Sequence, residues 1–264
     1  MAAATEFYKP EETICYGDGR EQRLLAFIKS HPNYDKMRDS PSEVLSGIDD
    51  FGRQEDFLMN VGKYKGGIIT KYINAHKPKL IVELGGYVGY SAIMLGAAQR
   101  AAGGEKYISL EMNPEFARVA SSLITLAGLG DFIDIVTGPC DQSLRTLRQT
   151  LSNPIVDLLF LDHKKTSYVS DAILCEDLSL IGPGSTIIAD NVISPGAPLY
   201  LEYIRGSYSQ KDKIRDQLVA GNGEISTKGN VRYVYESELH ESLEPTGEKD
   251  GLEVSVCVQH VDAI

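Results

Sequence analysis

Residues suited to chemistry cluster at the ends of two apolar runs. Asp162 closes the run 156–161, and Asp190-Asn191 closes the run 185–189. If these runs are neighbouring strands of an open α/β sheet, their carboxyl ends line one crevice. Two carboxylates and an amide oxygen would then converge as hard oxygen donors. Three such ligands, with the remaining positions open, suit Mg2+. The other use of Asp and Asn at such places is to cap the next helices, but three of them at two strand ends go beyond capping. Lys165 follows Asp162 by three residues and can face the same crevice. Beside a cation and partly desolvated, its amine is favoured in the neutral form, which suits a general base; the alternative is a solvated surface lysine. His163 stands alone and reads equally as a packing or hydrogen-bonding residue. Cys15, Cys140, Cys175 and Cys257 are widely spaced without a C-x-x-C pair, so no His/Cys cluster is expected to compete for a softer metal, and a reducing compartment fits.

A second group lies upstream, in Glu83-Leu-Gly85-Gly86-Tyr87-Val-Gly89-Tyr90-Ser91. A turn this rich in glycine lets backbone approach a ligand closely. The dinucleotide fingerprint G-x-G-x-x-G would need glycine at 87 and 90, where both residues are tyrosine. The pattern present suits a nucleoside-type ligand without a pyrophosphate at the helix N-terminus. Glu111 ends the following strand, where a carboxylate can accept both ribose hydroxyls. A tight βα turn plus a surface glutamate is the alternative.

These positions require a particular set of elements. Apolar spacing at Leu24, Leu25, Phe27 and Ile28, and at Val44, Leu45 and Ile48, predicts two amphipathic helices. A third is expected over 66–76, ending before Pro78. From Lys79 onward, strands are expected at 79–84, 106–110, 132–136, 156–161 and 185–189. Helices should lie between them at 90–102, 114–127, around Leu144 and Leu147, and at 168–181. This alternation calls for one mostly parallel sheet covered by helices on both faces. The polar, glycine-rich stretch 206–230 reads as a long loop with a short helical piece at 214–219. Strands at 230–235 and 252–259 should pair antiparallel at one edge, joined by an acidic connection that reads as a solvated face.

The chain has 264 residues, 42% of them hydrophobic, and a net charge of −11. That is ample for a core, and the acidic balance argues against nucleic acid as the main partner. No run approaches the length of a bilayer span, and the opening MAAATEFYKPEE lacks a signal pattern. The expectation is a cytoplasmic protein without membrane contact: one domain over 1–264, with a helical cap at 1–78 and an α/β core at 79–264.

The chain resembles the catechol O-methyltransferase family, magnesium-dependent class I S-adenosylmethionine methyltransferases, over most of its length from about Gly17 to Gln259. The resemblance rests on Met59-Asn60-Val61-Gly62, Val82-Glu-Leu-Gly85, Gly89-Tyr90-Ser91, Glu111-Met-Asn-Pro114, Leu159-Phe-Leu-Asp162-His163, Ala189-Asp190-Asn191-Val192-Ile193, Pro195-Gly196 and Arg205-Gly206-Ser207. It implies a Rossmann-like, seven-stranded fold with an antiparallel terminal strand. It also implies Mg2+-dependent methyl transfer from S-adenosylmethionine to one hydroxyl of a catechol-type small molecule, by a monomer or weak homo-oligomer. Carried over residue by residue, Asp162, Asp190 and Asn191 become metal ligands and Lys165 the general base. Val61, Glu83, Gly85, Tyr87, Ser91, Glu111 and His163 become cofactor contacts, with Glu111 on the ribose. Met59 and Pro195 flank the substrate, which also meets Lys165 and Asn191. Glu244, placed by counting back from Asp250-Gly251-Leu252-Glu253, would hydrogen-bond a substrate hydroxyl, with Glu241 as the alternative.

Three positions depart from the family pattern. Lys164 replaces a large aromatic, Cys140-Asp141 replaces a Ser-Gln pair near the adenine, and Phe57 replaces a pocket tryptophan. The alternatives are the same mechanism on another vicinal dihydroxy-aromatic metabolite, a catalytically inactive cofactor-binding scaffold and, least supported, an NAD(P)-dependent reductase.

Overall fold

The five apolar runs form strands β1 (Leu80–Leu84), β2 (Lys106–Glu111), β3 (Ile133–Thr137), β4 (Leu158–Leu161) and β5 (Thr186–Ala189) in a computed structural model that describes residues 6–222 and 233–260. Two further strands, β6 (Tyr233–Leu243) and β7 (Lys249–His260), complete a seven-stranded sheet in the order β3-β2-β1-β4-β5-β7-β6. The pairs among β1 to β5 are parallel, and β7 runs antiparallel to both β5 and β6.

Helices cover both faces. Before the sheet come α1 (Arg20–Ser30), α2 (Tyr34–Met37), α3 (Pro41–Gln54) and α4 (Gly62–His76). Within it come α5 (Tyr90–Ala101), α6 (Pro114–Leu126), α7 (Cys140–Thr150), α8 (Tyr168–Asp177), α9 (Pro198–Arg205) and α10 (Tyr208–Asn222). Side chains alternate across a strand, so Ile81, Leu158 and Phe160 pack with α1 and α3–α6, whereas Val82, Leu84, Leu159 and Leu161 pack with α7–α9. Strands buried on both faces are what the continuous apolar runs require. Among the described residues no helix is long and apolar enough to cross a membrane.

Three expectations need correction. Helix α4 begins four residues before the predicted 66, which brings Lys65 into it. Within the expected 206–230 loop, residues 208–222 are helical, and the remainder from 223 lies outside the described residues, as do 230–232 of the expected strand. The α10 pattern is obscured because one of its inward residues is a lysine. Buried Lys211 donates to the Tyr233 carbonyl at 2.7 Å and lies 5.1 and 4.5 Å from the Tyr203 and Tyr235 ring centroids, next to buried Ile214. Finally, the acidic connection is largely strand. Glu236, Glu238 and Glu241 are exposed on β6, the edge of the sheet, where charge discourages further strand pairing. Asp250, by contrast, is fully buried, so the stretch is not uniformly a solvated face.

Candidate active site

The carboxyl ends of β1, β2, β4 and β5 open onto a cavity of about 880 Å³. Every site residue expected from the sequence lines it except Glu83.

At one end the turn after β1 is shaped by main chain. Gly85 has φ +98° and donates its N–H to the Leu110 carbonyl at 2.9 Å; a Cβ there would collide with the Asp162 carbonyl oxygen. Glu111 crosses from the end of β2 to accept the Tyr87 N–H at 2.8 Å and the Asn113 N–H at 2.7 Å. Burial pushes its carboxyl up while these backbone amides pull it down. The Tyr87 hydroxyl donates to Glu21 at 3.0 Å, and its ring meets Phe116 edge-on at 5.2 Å. Glu83, on the strand itself, points beneath the turn. It is fully buried, accepts the Ser109 hydroxyl at 2.6 Å, and burial pushes it up to about 7. Its place beneath the turn, off the cavity wall, follows from the strand alternation that sends Val82 and Leu84 the other way.

His163 lines the same end, with Nε2 2.7 Å from Asp171 and its ring stacked on Tyr168 at 5.1 Å. Cys140 joins them, the donor atoms of the three lying within 4.8 Å of one another. A His/Cys cluster therefore does exist, contrary to the sequence expectation: α7, the β4 end and α8 bring together residues far apart in the chain. Asp171 accepts hydrogen bonds from both partners, and burial raises the Cys140 thiol, while His163 Nδ1 is buried with no hydrogen-bond partner among the described residues.

The other end is built from side-chain charge. Asp162 and Asp190 follow the paired residues Leu161 and Ala189 of adjacent strands. Lys165 donates to Asp162 at 3.1 Å and to the Tyr168 hydroxyl at 2.8 Å. Burial pushes Asp162 up to about 7 against the nearby Lys165 ammonium. Asn191 takes a left-handed conformation (φ 55°) at the start of the Val192–Gly196 turn. Its Nδ2 donates to Glu244 at 2.6 Å and to Asp250 at 3.1 Å. Glu244 comes from the β6–β7 connection, and burial pushes it up to about 8 against the pull of Lys65. The Lys65 ammonium, fully buried, lies 2.7 Å from Asp190, 2.5 Å from Glu244 and 2.8 Å from Asp250. Burial opposes ionisation of Asp250, and the Lys65 ammonium outweighs it, holding that carboxyl below its usual range. Asp250 also accepts the Ile193 and Ser194 N–H groups at 3.2 and 2.8 Å.

Sequence reasoning missed Lys65 and the inward role of Asp250. One signal was available: Lys65 shares a stripe with buried Ile69 and Ile73 at four-residue spacing, where an apolar residue is expected. The donor set fits a hard divalent cation. An ionised Asp250 can only accept, so the Asn191 amide must present Nδ2 to it, which leaves Oδ1 for a cation beside Asp162 and Asp190.

A family model described as O-methyltransferase matches residues 42–214. The catechol O-methyltransferase of Bos taurus is 33% identical over 220 residues, covering 80% of this chain and 79% of its own. Catechol O-methyltransferase B of Danio rerio is 38% identical over 192 residues, covering 73% and 70%. Among solved structures, the O-methyltransferase from Bacillus cereus in complex with SAH superposes with a TM-score of 0.57 at 21% identity, covering 89% of this chain and 97% of its own; this likeness concerns the fold alone.

Proposed function

This chain belongs to the O-methyltransferase family as a catechol O-methyltransferase-like, S-adenosylmethionine-dependent enzyme acting on a small molecule, and from that premise we propose that it methylates one hydroxyl of a catechol-type diol in a Mg2+-dependent reaction with Lys165 as general base. The observation carrying this reading is the convergence of Asp162, Lys165, Asp190, Asn191 and Glu244 on one wall of the cavity. Asp162, Asp190 and Asn191 would hold the cation. A Mg2+ ion held there would supply Lewis acidity that favours ionisation of a phenolic hydroxyl, and S-adenosylmethionine would supply an electrophilic methyl group.

The protein's own residues do the rest. Lys165 Nζ takes the proton from the attacking hydroxyl, being placed to reach an oxygen held beside Asp162. Glu244 hydrogen-bonds the second hydroxyl and so fixes which oxygen faces the methyl group. The 85–89 turn, Glu111, Tyr87, Ser91, Val61 and His163 seat the cofactor; Met59 and Pro195 flank the acceptor. Glu83 supports this turn from below. Holding both reactants at these two ends removes much of the entropic barrier to their meeting. The reading takes the whole chain as one cytoplasmic domain, a monomer or weak homo-oligomer, with no nucleic acid or membrane partner.

One observation favours a second acceptor class. Lys164 is exposed on the cavity wall beside Lys165, a placement that suits a vicinal dihydroxy-aromatic bearing an acidic substituent. S-adenosylhomocysteine production from catechol and from its acidic and neutral derivatives, with Mg2+ or with chelator, tests both readings. Expected is turnover of the diols that disappears on chelation and is highest for acidic acceptors. Equal turnover with chelator would remove the metal from the reaction, and no turnover of any diol would remove the substrate class.

A further inference from the structure

The buried ammonium of Lys65 is an anomaly in energetic terms. It sits on the inward stripe of α4 with Ile69 and Ile73 and is wholly removed from water. Taking an ammonium out of water costs several kcal/mol, and buried ion clusters are often replaced by apolar groups without loss of stability. Filling that stripe needs no charge.

What the charge does provide is a single point joining three separate segments. Asp190 comes from the end of β5, Glu244 from the connection after β6, and Asp250 from the start of β7; each carboxylate has an oxygen within 2.8 Å of Nζ. Asp190 meets Lys65 through Oδ1, so its Oδ2 is the oxygen left for another cation. Glu244 and Asp250 meet Lys65 through the same oxygens that receive the Asn191 amide. Fixing those two oxygens therefore fixes which way Asn191 turns. Asp250 also fastens the Val192–Gly196 turn through the Ile193 and Ser194 N–H groups.

We propose that Lys65 is a positioning residue of the acceptor end: a built-in cation that sets Asp190 Oδ2 and Asn191 Oδ1 toward a divalent cation and holds Glu244 at the acceptor. This rests on the reading of Asp162, Asp190 and Asn191 as the cation's ligands. Lys65 touches neither methyl donor nor diol and acts through the carboxylates it arranges.

The test is Mn2+ binding, followed by the electron paramagnetic resonance of the free ion, to protein without cofactor or acceptor. The variants are Lys65→Met and the charge-balanced Lys65→Met/Asp250→Asn, which removes one charge of each sign and so cancels the simple gain in attraction that losing a lysine would bring. S-adenosylhomocysteine affinity is measured in parallel as a check on the other end of the cavity. Expected for the double variant is a dissociation constant for Mn2+ at least tenfold higher, with S-adenosylhomocysteine affinity within twofold of the parent and an acceptor KM raised more than kcat falls. Mn2+ affinity that is unchanged or tighter would overturn the proposal. So would parallel loss of Mn2+ and S-adenosylhomocysteine binding in both variants, which would make Lys65 a general structural element. Absence of Mn2+ binding by the parent protein would overturn the ligand reading itself, and the inference with it.

Discussion

The two ends of the cavity are made in different ways. The end proposed for the cofactor is main chain held by main chain and near neighbours: the Gly85 N–H on the Leu110 carbonyl, and the Glu111 carboxylate on the Tyr87 and Asn113 amides. The end proposed for the acceptor is charge held by charge, with Lys65, Lys165, Asp162, Asp190, Glu244 and Asp250 drawn from four regions of the chain. A backbone cradle works because glycine tolerates the left-handed conformation and a close approach. A charge cluster works only when every member is present, since a buried carboxylate without its partner is strongly disfavoured. Substitutions should therefore act locally at the first end and collectively at the second.

The strongest separation is expected from Lys165→Ala. Removing a general base lowers kcat by about 10²–10⁴-fold, while S-adenosylhomocysteine affinity by calorimetry should stay within about twofold, because among the described residues Lys165 hydrogen-bonds only to Asp162 and Tyr168. Undiminished kcat would show that the base lies elsewhere. Gly85→Ala should blur the separation: the new methyl group meets the Asp162 carbonyl oxygen in a left-handed conformation, strain of about 1–3 kcal/mol. Cofactor affinity should fall roughly tenfold, and the Mg2+ concentration needed for half-maximal turnover should rise, because the displaced segment carries Asp162. A cofactor effect with no change in Mg2+ requirement would mean that the two ends are insulated from each other.

The smallest effect on chemistry is expected at Glu83, whose carboxyl burial lifts from its ordinary 4.5 to about 7. Between those values the folded chain binds a proton that the unfolded chain has released. The contribution of Glu83 to stability is therefore highest at low pH in this window and declines as pH rises through about 7. Glu83→Gln removes the decline, so its unfolding free energy should exceed the parent's by up to about 3 kcal/mol at pH 8 and converge with it near pH 4.5. Denaturant titrations at the two pH values read this directly, and a pH-independent difference would refute the cause given.

The contrast also explains what the sequence disclosed. Strands and turns at the cofactor end are set by contiguous residues: an apolar run, then glycines, then a helix. Gly85, Tyr87, Ser91 and Glu111, singled out from such strings, line the cavity. Asp162, Lys165, Asp190 and Asn191 were legible because strand ends of an open sheet share one edge. The charge cluster behind them was not. Lys65 and Asp250 are 185 positions apart in sequence; the stripe of Lys65 with Ile69 and Ile73 hints that the lysine faces inward, but nothing local pairs it with Asp250. Glu83 differs for the opposite reason: it belongs to a recognisable string, but the two-residue period of β1 turns its side chain off the cavity wall. Cys140, His163 and Asp171 met only through folding, and α10 was hidden because its buried Lys211 carries a charge that hydrophobic patterning counts as outward.

The placement of β7 between β5 and β6 has a consequence for biogenesis. On a ribosome β6 emerges before β7, yet among the described residues it has no partner in the sheet until β7 arrives to pair with it and with β5. A nascent chain can complete the 85–89 turn long before this insertion. It cannot complete the Lys65 cluster, because Asp250 travels with the late strand. Methyl-donor capture is thus expected to mature first during synthesis and acceptor chemistry last, and a protease that clips the chain after β6 would leave a protein able to hold the donor with nowhere to send its methyl group.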